Sequence, residues 1–294
     1  KPIESARLVE EWGIEGDAHV GKWHRQVSML SFEKIEAFRE KGADVDFGAF
    51  GENLVVEGFD LSKVPVGTKF QIGEAILELT QIGKECHSHC AIYKVMGDCI
   101  MPREGVFTRV LKGGEIKAGD EITMLPLEKD RPFTAAIITL SDKGAAGERE
   151  DKSGPLIQEM LMKEGYDVIE TLLLPDGEQP LKHQLMRLAD QRQVNVIFTT
   201  GGTGFAERDV TPEATQAVCD RMAMGIADAI RQYSLSITGR AMLSRAVSGI
   251  RKKTLIVNLP GSPKAVKESL EYVLPHLGHG LGILRGTDGE CGNS

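Results

Sequence analysis

Two rhythms of apolar and polar residues divide the chain. From about residue 47 to 125, short alternating runs are bounded by glycine. In FQIGEAILELTQI, Leu77 and Leu79 fall on one face and Ile76, Glu78 and Thr80 on the other, the period-two pattern of a half-buried strand. KGG at 112–114 and AGD at 118–120 lie between VFTRVL, GEIK and EITML and predict hairpin turns joining three successive strands. Ahead of them Ser31 opens a short predicted helix, FEKIEAFREKG, with Phe32, Ile35 and Phe38 on one face and Gly42 as its stop. This half is expected to be mostly β, a barrel or a strongly bent sheet.

Beyond PLEKDRP at 126–132, which has two prolines and four charges around one leucine, the rhythm changes. TAAIITL at 134–140 is an apolar run of strand length. Leu156, Ile157, Met160 and Leu161 then follow Pro155 at helical spacing and end at Gly165. VIETLLL predicts a second strand, Leu181, Leu185 and Leu188 a second helix, and VNVIFT at 194–199 a third strand. Apolar strands alternating with amphipathic helices predict an α/β domain, doubly wound about a mostly parallel sheet covered on both faces. The expected organisation is a first domain over 1–126, a linker over 127–132, a second domain over 133–285 and a flexible tail over 286–294.

Composition narrows the class. A length of 294 residues with 41% hydrophobic content suits two cores. The net charge of -8 leaves no basic footprint for nucleic acid, and no run approaches the ~18 apolar residues of a membrane span. Counts of 15 Lys+Arg against 21 Asp+Glu up to residue 126, and 20 against 22 after it, put most of the negative charge in the first half. An anionic ligand is therefore more easily received in the second. Five cysteines, Cys86, Cys90, Cys99, Cys219 and Cys291, are odd in number and unevenly placed, so a reducing cytoplasm is the simpler expectation. The chain opens on Lys1 without an apolar leader, which leaves a preceding first strand or targeting segment open.

The stretch TTGGTGFAERDVTPEA at 199–214 begins where the third predicted strand stops, the edge at which such sheets bind ligands. Its glycines let the backbone approach a ligand with N–H groups inward, which suits a phosphate or carboxylate. Thr211 as N-cap with Pro212 as first helical residue would aim a helix N-terminus at the same place. Asp209 beside a phosphate implies a cation between them, and magnesium shared with a nucleotide is the natural choice. The competing reading is a tight turn with Asp209 capping or paired to Arg208. TLIVNLPGSP at 254–263 repeats the strand, glycine turn, Ser262 and Pro263 arrangement. SDKGAAGEREDKSGP follows the first strand and PDGEQP the second, adding Asp176, itself at a good turn sequence. Four loops at one sheet edge thus offer hydroxyls, glycines and acids. Neither GxxxxGK[ST] nor GxGxxG occurs in this half, against a P-loop or a conventional dinucleotide fold.

SDKGAAGEREDKSGP, LLLPDGEQ, TTGGTGFAERDVTPEAT and LSRAVSGIRKKTLIVNLPGSPKA, in this order and spacing, closely resemble the molybdopterin adenylyltransferases of molybdenum cofactor synthesis. The resemblance spans about residues 133–285 and implies the molybdopterin-binding fold. It also implies a reaction in which the terminal phosphate of molybdopterin attacks the α-phosphate of ATP, with Mg2+ offsetting charge. The family's two functional aspartates map onto Asp176 and Asp209, as catalytic and metal-holding acids. Phosphate and pterin contacts map onto Ser141, Asp142, Asp151, Ser153, Gly201, Gly202, Thr203, Gly204, Gly261 and Ser262. Backbone donors and two acids suffice for such a transfer without a nucleophilic side chain. The resemblance further implies a homotrimer and other molybdenum cofactor proteins as partners.

The first half resembles MOSC domains through IEGDAHVGKWHRQVSML, GAFGENL, LELTQ followed by Cys86, and GVFTRVLKGGEIKAGDEI. In that family a cysteine after LTQ holds sulfide or binds the cofactor's metal. Cys86 has that spacing, Cys90 follows, and Cys99 is a further candidate. On the residues alone CHSHC at 86–90 has three readings: a crowded zinc set with His87 and His89, a thiolate assisted by imidazoles, or inert cysteines. His19 and His24 are candidates for lining a pocket, while Arg25 and Arg103 also read as surface charges; Cys219 and Cys291 look unrelated. The expectation is a MOSC-like domain, binding the molybdenum cofactor or handling its sulfur, fused to an adenylyltransferase. The competing class is a non-catalytic carrier or scaffold.

Overall fold

The computed structural model describes residues 2–86 and 91–288 and divides the chain into two compact units, 1–128 and 129–294. Each is described by itself.

The first unit contains nine strands among its described residues: β1 (Ser5–Val9), β2 (Gly13–Ile14), β3 (Val27–Ser31), β4 (Leu54–Val56), β5 (Lys69–Ile72), β6 (Ala75–Ile82), β7 (Val106–Lys112), β8 (Gly114–Lys117) and β9 (Ile122–Leu125). They form a three-stranded sheet, β2-β1-β8, and a six-stranded sheet, β4-β3-β7-β6-β5-β9. The bent-sheet expectation therefore takes the form of two open sheets, with β4 and β9 at the edges of the larger one. Leu8, Ile14 and Ile116 from the small sheet share one apolar cluster with Val27, Met29, Phe70, Leu77 and Val110 from the large one.

The two expected hairpins do not form. β8 pairs with β1, and β9 pairs with β5, both antiparallel, so the chain changes sheet at each turn. The reason at the first turn is close approach: a Cβ on Gly113 would lie 2.7 Å from the Leu8 carbonyl oxygen. A glycine there admits a neighbouring strand rather than a reversal. The predicted helix is Phe32–Arg39, with Ile35 and Phe38 buried. Ser31 does not cap it; its hydroxyl donates to the Phe59 carbonyl and accepts from the Leu61 amide, pinning that segment to β3.

The second unit has one six-stranded sheet in the order β11-β10-β12-β15-β14-β13, built from β10 (Thr134–Leu140), β11 (Asp167–Leu174), β12 (Val196–Thr200), β13 (Arg221–Met222), β14 (Ser248–Arg251) and β15 (Thr254–Leu259). β11, β10, β12 and β15 are parallel, while β14 and β13 join antiparallel. β10 is apolar at Ala135–Ile138 and Leu140 because both faces are covered. Ala135 and Ile137 meet Ile157 and Leu161 of helix Ser153–Lys163 together with Val266 and Leu270 of helix Pro263–Arg285. Ala136, Ile138 and Leu140 meet Leu181, Leu185 and Leu188 of helix Glu178–Asp190. Each such buried leucine contributes roughly 1.5–3 kcal/mol of transfer free energy.

Consecutive strands run outward from β10 on one side and through β12 on the other. The order reverses between β10 and β12, the place where an open sheet leaves a crevice beyond its carboxyl ends. The third strand starts at Val196 rather than residue 194, the helix expected after Pro155 starts at Ser153, and a short helix, Asp142–Ala145, precedes it. The final helix ends at Arg285 on left-handed Gly286, φ 86°; of the expected tail, residues 289–294 lie outside the described residues.

Candidate active site

Because β10, β11, β12 and β15 are parallel, the loops that follow them share one edge. The loop after β12 is shaped by its glycines. Gly201 has φ 98°, and a Cβ there would lie 2.4 Å from the Leu140 carbonyl oxygen; Gly202 has φ 63°, and its Cβ would lie 2.4 Å from the Thr211 hydroxyl. Only glycine fits either place. Thr211 is the first residue of helix Thr211–Val218 and does not cap it. Its hydroxyl donates to the Gly201 carbonyl at 2.9 Å and its amide to the Gly202 carbonyl at 3.1 Å, so Thr211 folds the loop back on itself. The Thr200 hydroxyl donates to the Pro260 carbonyl at 2.6 Å, tying in the loop after β15.

Arg245 holds the far side of this loop. Its amide donates to the Thr203 carbonyl at 3.0 Å and its Nε to the Gly204 carbonyl at 2.7 Å; the remaining guanidinium nitrogens reach the Asp209 carbonyl and the Glu213 carboxylate. Asp209 in turn accepts from the Ala206 amide at 3.0 Å. Beneath the loop, fully buried Asn258 donates to the Thr199 and Thr215 hydroxyls, both at 2.9 Å, and accepts from the Val247 amide at 3.2 Å. Neither Arg245 nor Asn258 stands out by residue type. Their signal is position, since LSRAVSGIRKKTLIVNLPGSPKA carries both.

The loops after β10 and β11 meet through two acids. The Asp142 amide donates to the Asp176 carboxylate at 3.2 Å, and the Asp176 amide to the Asp142 carboxylate at 2.9 Å. Burial pushes the Asp176 carboxyl up from its ordinary value; the charges of Asp142 and Asp209 push the same way, while the Asp142 amide and Arg208 oppose them. The loops thus bring Asp142, Asp176, Arg208 and Asp209 into one electrostatic neighbourhood.

Several predicted contact residues already have partners in the frame. Ser141 accepts from the Gly144 amide at 3.0 Å; Asp151 accepts from the Ser153 and Gly154 amides, each at 3.0 Å; the Ser153 hydroxyl donates to the Gly261 carbonyl at 3.1 Å; Ser262 accepts from the Ala265 amide at 3.3 Å. Thr203 is buried, and Gly261 lies against Gly201. The Thr139 hydroxyl at the end of β10 is buried with no hydrogen-bond partner among the described residues.

No group of three His, Cys, Asp or Glu arranged to hold a metal occurs among the described residues. Mg2+ is ordinarily held by one or two carboxylates plus substrate phosphates. Asp142, Asp176 and Asp209, neighbours across these loops, supply hard oxygen donors of the kind that fit such an ion.

In the first unit the cysteines separate. Cys86 is exposed, whereas Cys99 is 6% exposed and packs with Phe38, Phe50, Met101 and Phe107. Asp98 accepts from the Cys99 amide and is held at about 2, chiefly by a two-pronged bond from Arg103. Cys90, His87 and His89 lie outside the described residues. The Arg25 guanidinium stands 4.8 Å from the Trp23 ring, and His24 meets Gln81 at 2.9 Å. The His19 side chain is 83% exposed beside Asp17. Asp17 and His19 lie on the wall of a cavity of about 560 Å3 with Glu52, Asn53, Val56 and Ile122; neither Cys86 nor Cys99 lines it.

Comparison with known proteins bears on both units. Residues 136–279 match the family model described as a probable molybdopterin binding domain, and residues 16–123 match that of the MOSC domain. The molybdopterin adenylyltransferase of Haemophilus influenzae is 45% identical over 139 residues, covering 47% of this chain and 71% of the relative. The chain belongs to the molybdopterin adenylyltransferase family. The enzyme of that name from Helicobacter pylori is 39% identical over 153 residues, 51% of this chain and 87% of the relative. Among solved structures, the molybdopterin biosynthesis enzyme MoaB of Thermus thermophilus is 46% identical with a TM-score of 0.50, covering 52% of this chain and 97% of that one. The molybdopterin biosynthesis Mog protein of Mycobacterium ulcerans is 39% identical with a TM-score of 0.50, covering 53% and 98%. Membership of this adenylyltransferase family rests on about half of the chain. No helix among the described residues is long and apolar enough to cross a membrane.

Proposed function

We propose that the second unit transfers AMP from ATP to the terminal phosphate of molybdopterin. A phosphate oxygen of molybdopterin forms the new bond to the α-phosphorus of ATP, the bond from that phosphorus to the bridging oxygen breaks, and pyrophosphate leaves with the electron pair. The observation that carries the reading is the convergence of Asp176, Asp209 and the glycine loop at the β10/β12 crevice, in a unit 45% identical to an enzyme of that name. Asp176 and Asp209 would hold Mg2+, which when bound offsets the charge of the phosphates. The chain's own part is positioning: the glycine loop is fixed at the crevice through its Gly201, Gly202, Thr203 and Gly204 carbonyls, and Arg245 fixes the segment that carries Asp209. Ser141, Asp151, Ser153 and Ser262 set the shape of the loops around it.

The unit resembling MOSC domains is proposed to handle the sulfur or the metal-loaded form of the cofactor through Cys86, the accessible cysteine among its described residues. A cytoplasmic homotrimer working with other molybdenum cofactor proteins completes the reading. The test is to incubate the purified full chain with molybdopterin, ATP and magnesium and follow AMP incorporation by mass. Turnover that Asp176→Asn and Asp209→Asn abolish, with molybdopterin still bound, is expected. Tight pterin binding with no AMP product by the wild-type chain would replace the enzyme with a carrier.

A further inference from the structure

One side chain on the glycine loop has no part in the reading above. Phe205 exposes 71% of its surface. Single exposed apolar residues are common and need no explanation in general, but Phe205 differs in how it is held. Both its chain neighbours are anchored, Gly204 through its carbonyl to Arg245 at 2.7 Å and Ala206 through its amide to Asp209 at 3.0 Å. One residue before Gly204 the Thr203 carbonyl accepts from the Arg245 amide, and Ala206 is held a second time through its carbonyl, which accepts from the Asp209 amide at 2.9 Å. A backbone tied at these points keeps the ring in water instead of letting it fold under the loop.

Beside the ring lies an open hollow of about 500 Å3 whose lining includes Phe205, Ala206, Glu207, Asp209, Glu213 and Arg245. It offers one aromatic face together with carboxylates able to accept hydrogen bonds. Phosphates have no use for a phenyl face; a planar nitrogen heterocycle bearing an exocyclic amino group uses both features, stacking on the ring and donating to an acid. Adenine and the pterin are both rings of this kind. We propose that Phe205 is the stacking platform for the fused, amino-bearing heterocycle of one of the two substrates, holding that ring while the glycine loop meets the phosphates. This deepens the adenylyl-transfer reading and rests on it.

The test uses the full chain as wild type, Phe205→Ala and Phe205→Tyr. ATP with magnesium and ringless inorganic tripolyphosphate are titrated calorimetrically, and molybdopterin through its pterin fluorescence. Truncating a stacking platform weakens ring binding about tenfold or more. The expected result is that loss for ATP or for molybdopterin with Phe205→Ala, recovery with Phe205→Tyr, and unchanged tripolyphosphate binding. Loss confined to ATP assigns adenine, and loss confined to molybdopterin assigns the pterin. Unchanged binding of both, tripolyphosphate falling in step with ATP, or a change of oligomeric state alone overturns the platform while leaving the enzyme reading intact. A wild-type chain that binds neither substrate overturns the enzyme reading, and the platform with it.

Discussion

Replacing Arg245 by alanine should disable transfer while leaving the fold standing. The guanidinium bonds the Gly204 and Asp209 carbonyls and pairs with Glu213, whereas the Arg245 amide keeps its bond to Thr203 whatever the side chain. Hydrogen bonds to a charged donor contribute roughly 1.5–3 kcal/mol each when well shielded. The side chains of Arg245 and Glu213 are 35% and 48% exposed. Water therefore replaces part of the loss, and roughly 1 kcal/mol per contact is the better figure. Two to three contacts then amount to about 2–3 kcal/mol of loop ordering, which converts to about a 30- to 150-fold fall in kcat/KM if the transition state needs the ordered loop. A shift of about 1 Å at a positioned group is enough for an effect of that size. Initial rates of AMP transfer over a range of ATP and molybdopterin concentrations measure it, with Tm as the control. Arg245→Lys should recover only part, because one ammonium cannot reach acceptors that a planar fork spans. A kcat/KM for Arg245→Ala within about threefold of wild type, or a loss fully matched by unfolding, would refute the clamp.

Gly201→Ala should destabilise the second unit by about 3 kcal/mol, from a left-handed penalty of about 1–2 kcal/mol plus the methyl at Leu140; a urea midpoint unmoved from wild type would contradict it. Asp176→Asn should raise Tm while removing activity. The folded-state pKa of Asp176 is raised, so its ionisation opposes folding above that pKa, and the gain should be present at neutral pH and shrink as pH falls toward the ordinary carboxylate value. A Tm difference that grows on acidification would reverse the assignment. A thiol reagent should label Cys86 in the native chain and reach Cys99 only on unfolding, read by peptide mass; equal labelling rates would place Cys99 outside the core. If a cyanolysable sulfur is found, Cys86→Ser should abolish it and Cys99→Ser should not.

Legibility from sequence followed the range of the interactions. TAAIITL announced β10 at its full length because a strand buried on both faces is a nearly continuous apolar run. Ser262 and Pro263 announced a helix start because capping is settled within four residues. Thr211 carries the same local sign and does something else. Its hydroxyl turns back to Gly201, ten residues earlier, and no short window contains that bond. The glycines at 113 and 114 misled in the same way. They accommodate Leu8 and Ala75 from strands distant in sequence, so a turn signal stood where two sheets meet. Arg245 and Asn258 were missed because their meaning lies in partners 11 to 59 residues away.

The same distinction separates framing from contact at the crevice. Asp151 through one carboxylate oxygen, and Ser153 and Ser262 through their hydroxyls, are bonded within the loops, so changing them should lower stability and activity together. Asp176 is different in kind: it is partly buried, its carboxyl is raised, and the charges of Asp142 and Asp209 add to that. A fold gains nothing from gathering like charges. An arrangement that costs stability, next to a loop tied down through its carbonyls, supports the proposed site for a charged ligand and its counter-ion. Substitutions along this edge should therefore fall into two groups, those in which Tm and turnover fall together and those in which turnover falls while Tm holds or rises. Asp176 belongs to the second, and a drop in its Tm on neutralisation would remove the reason for regarding the crevice as catalytic.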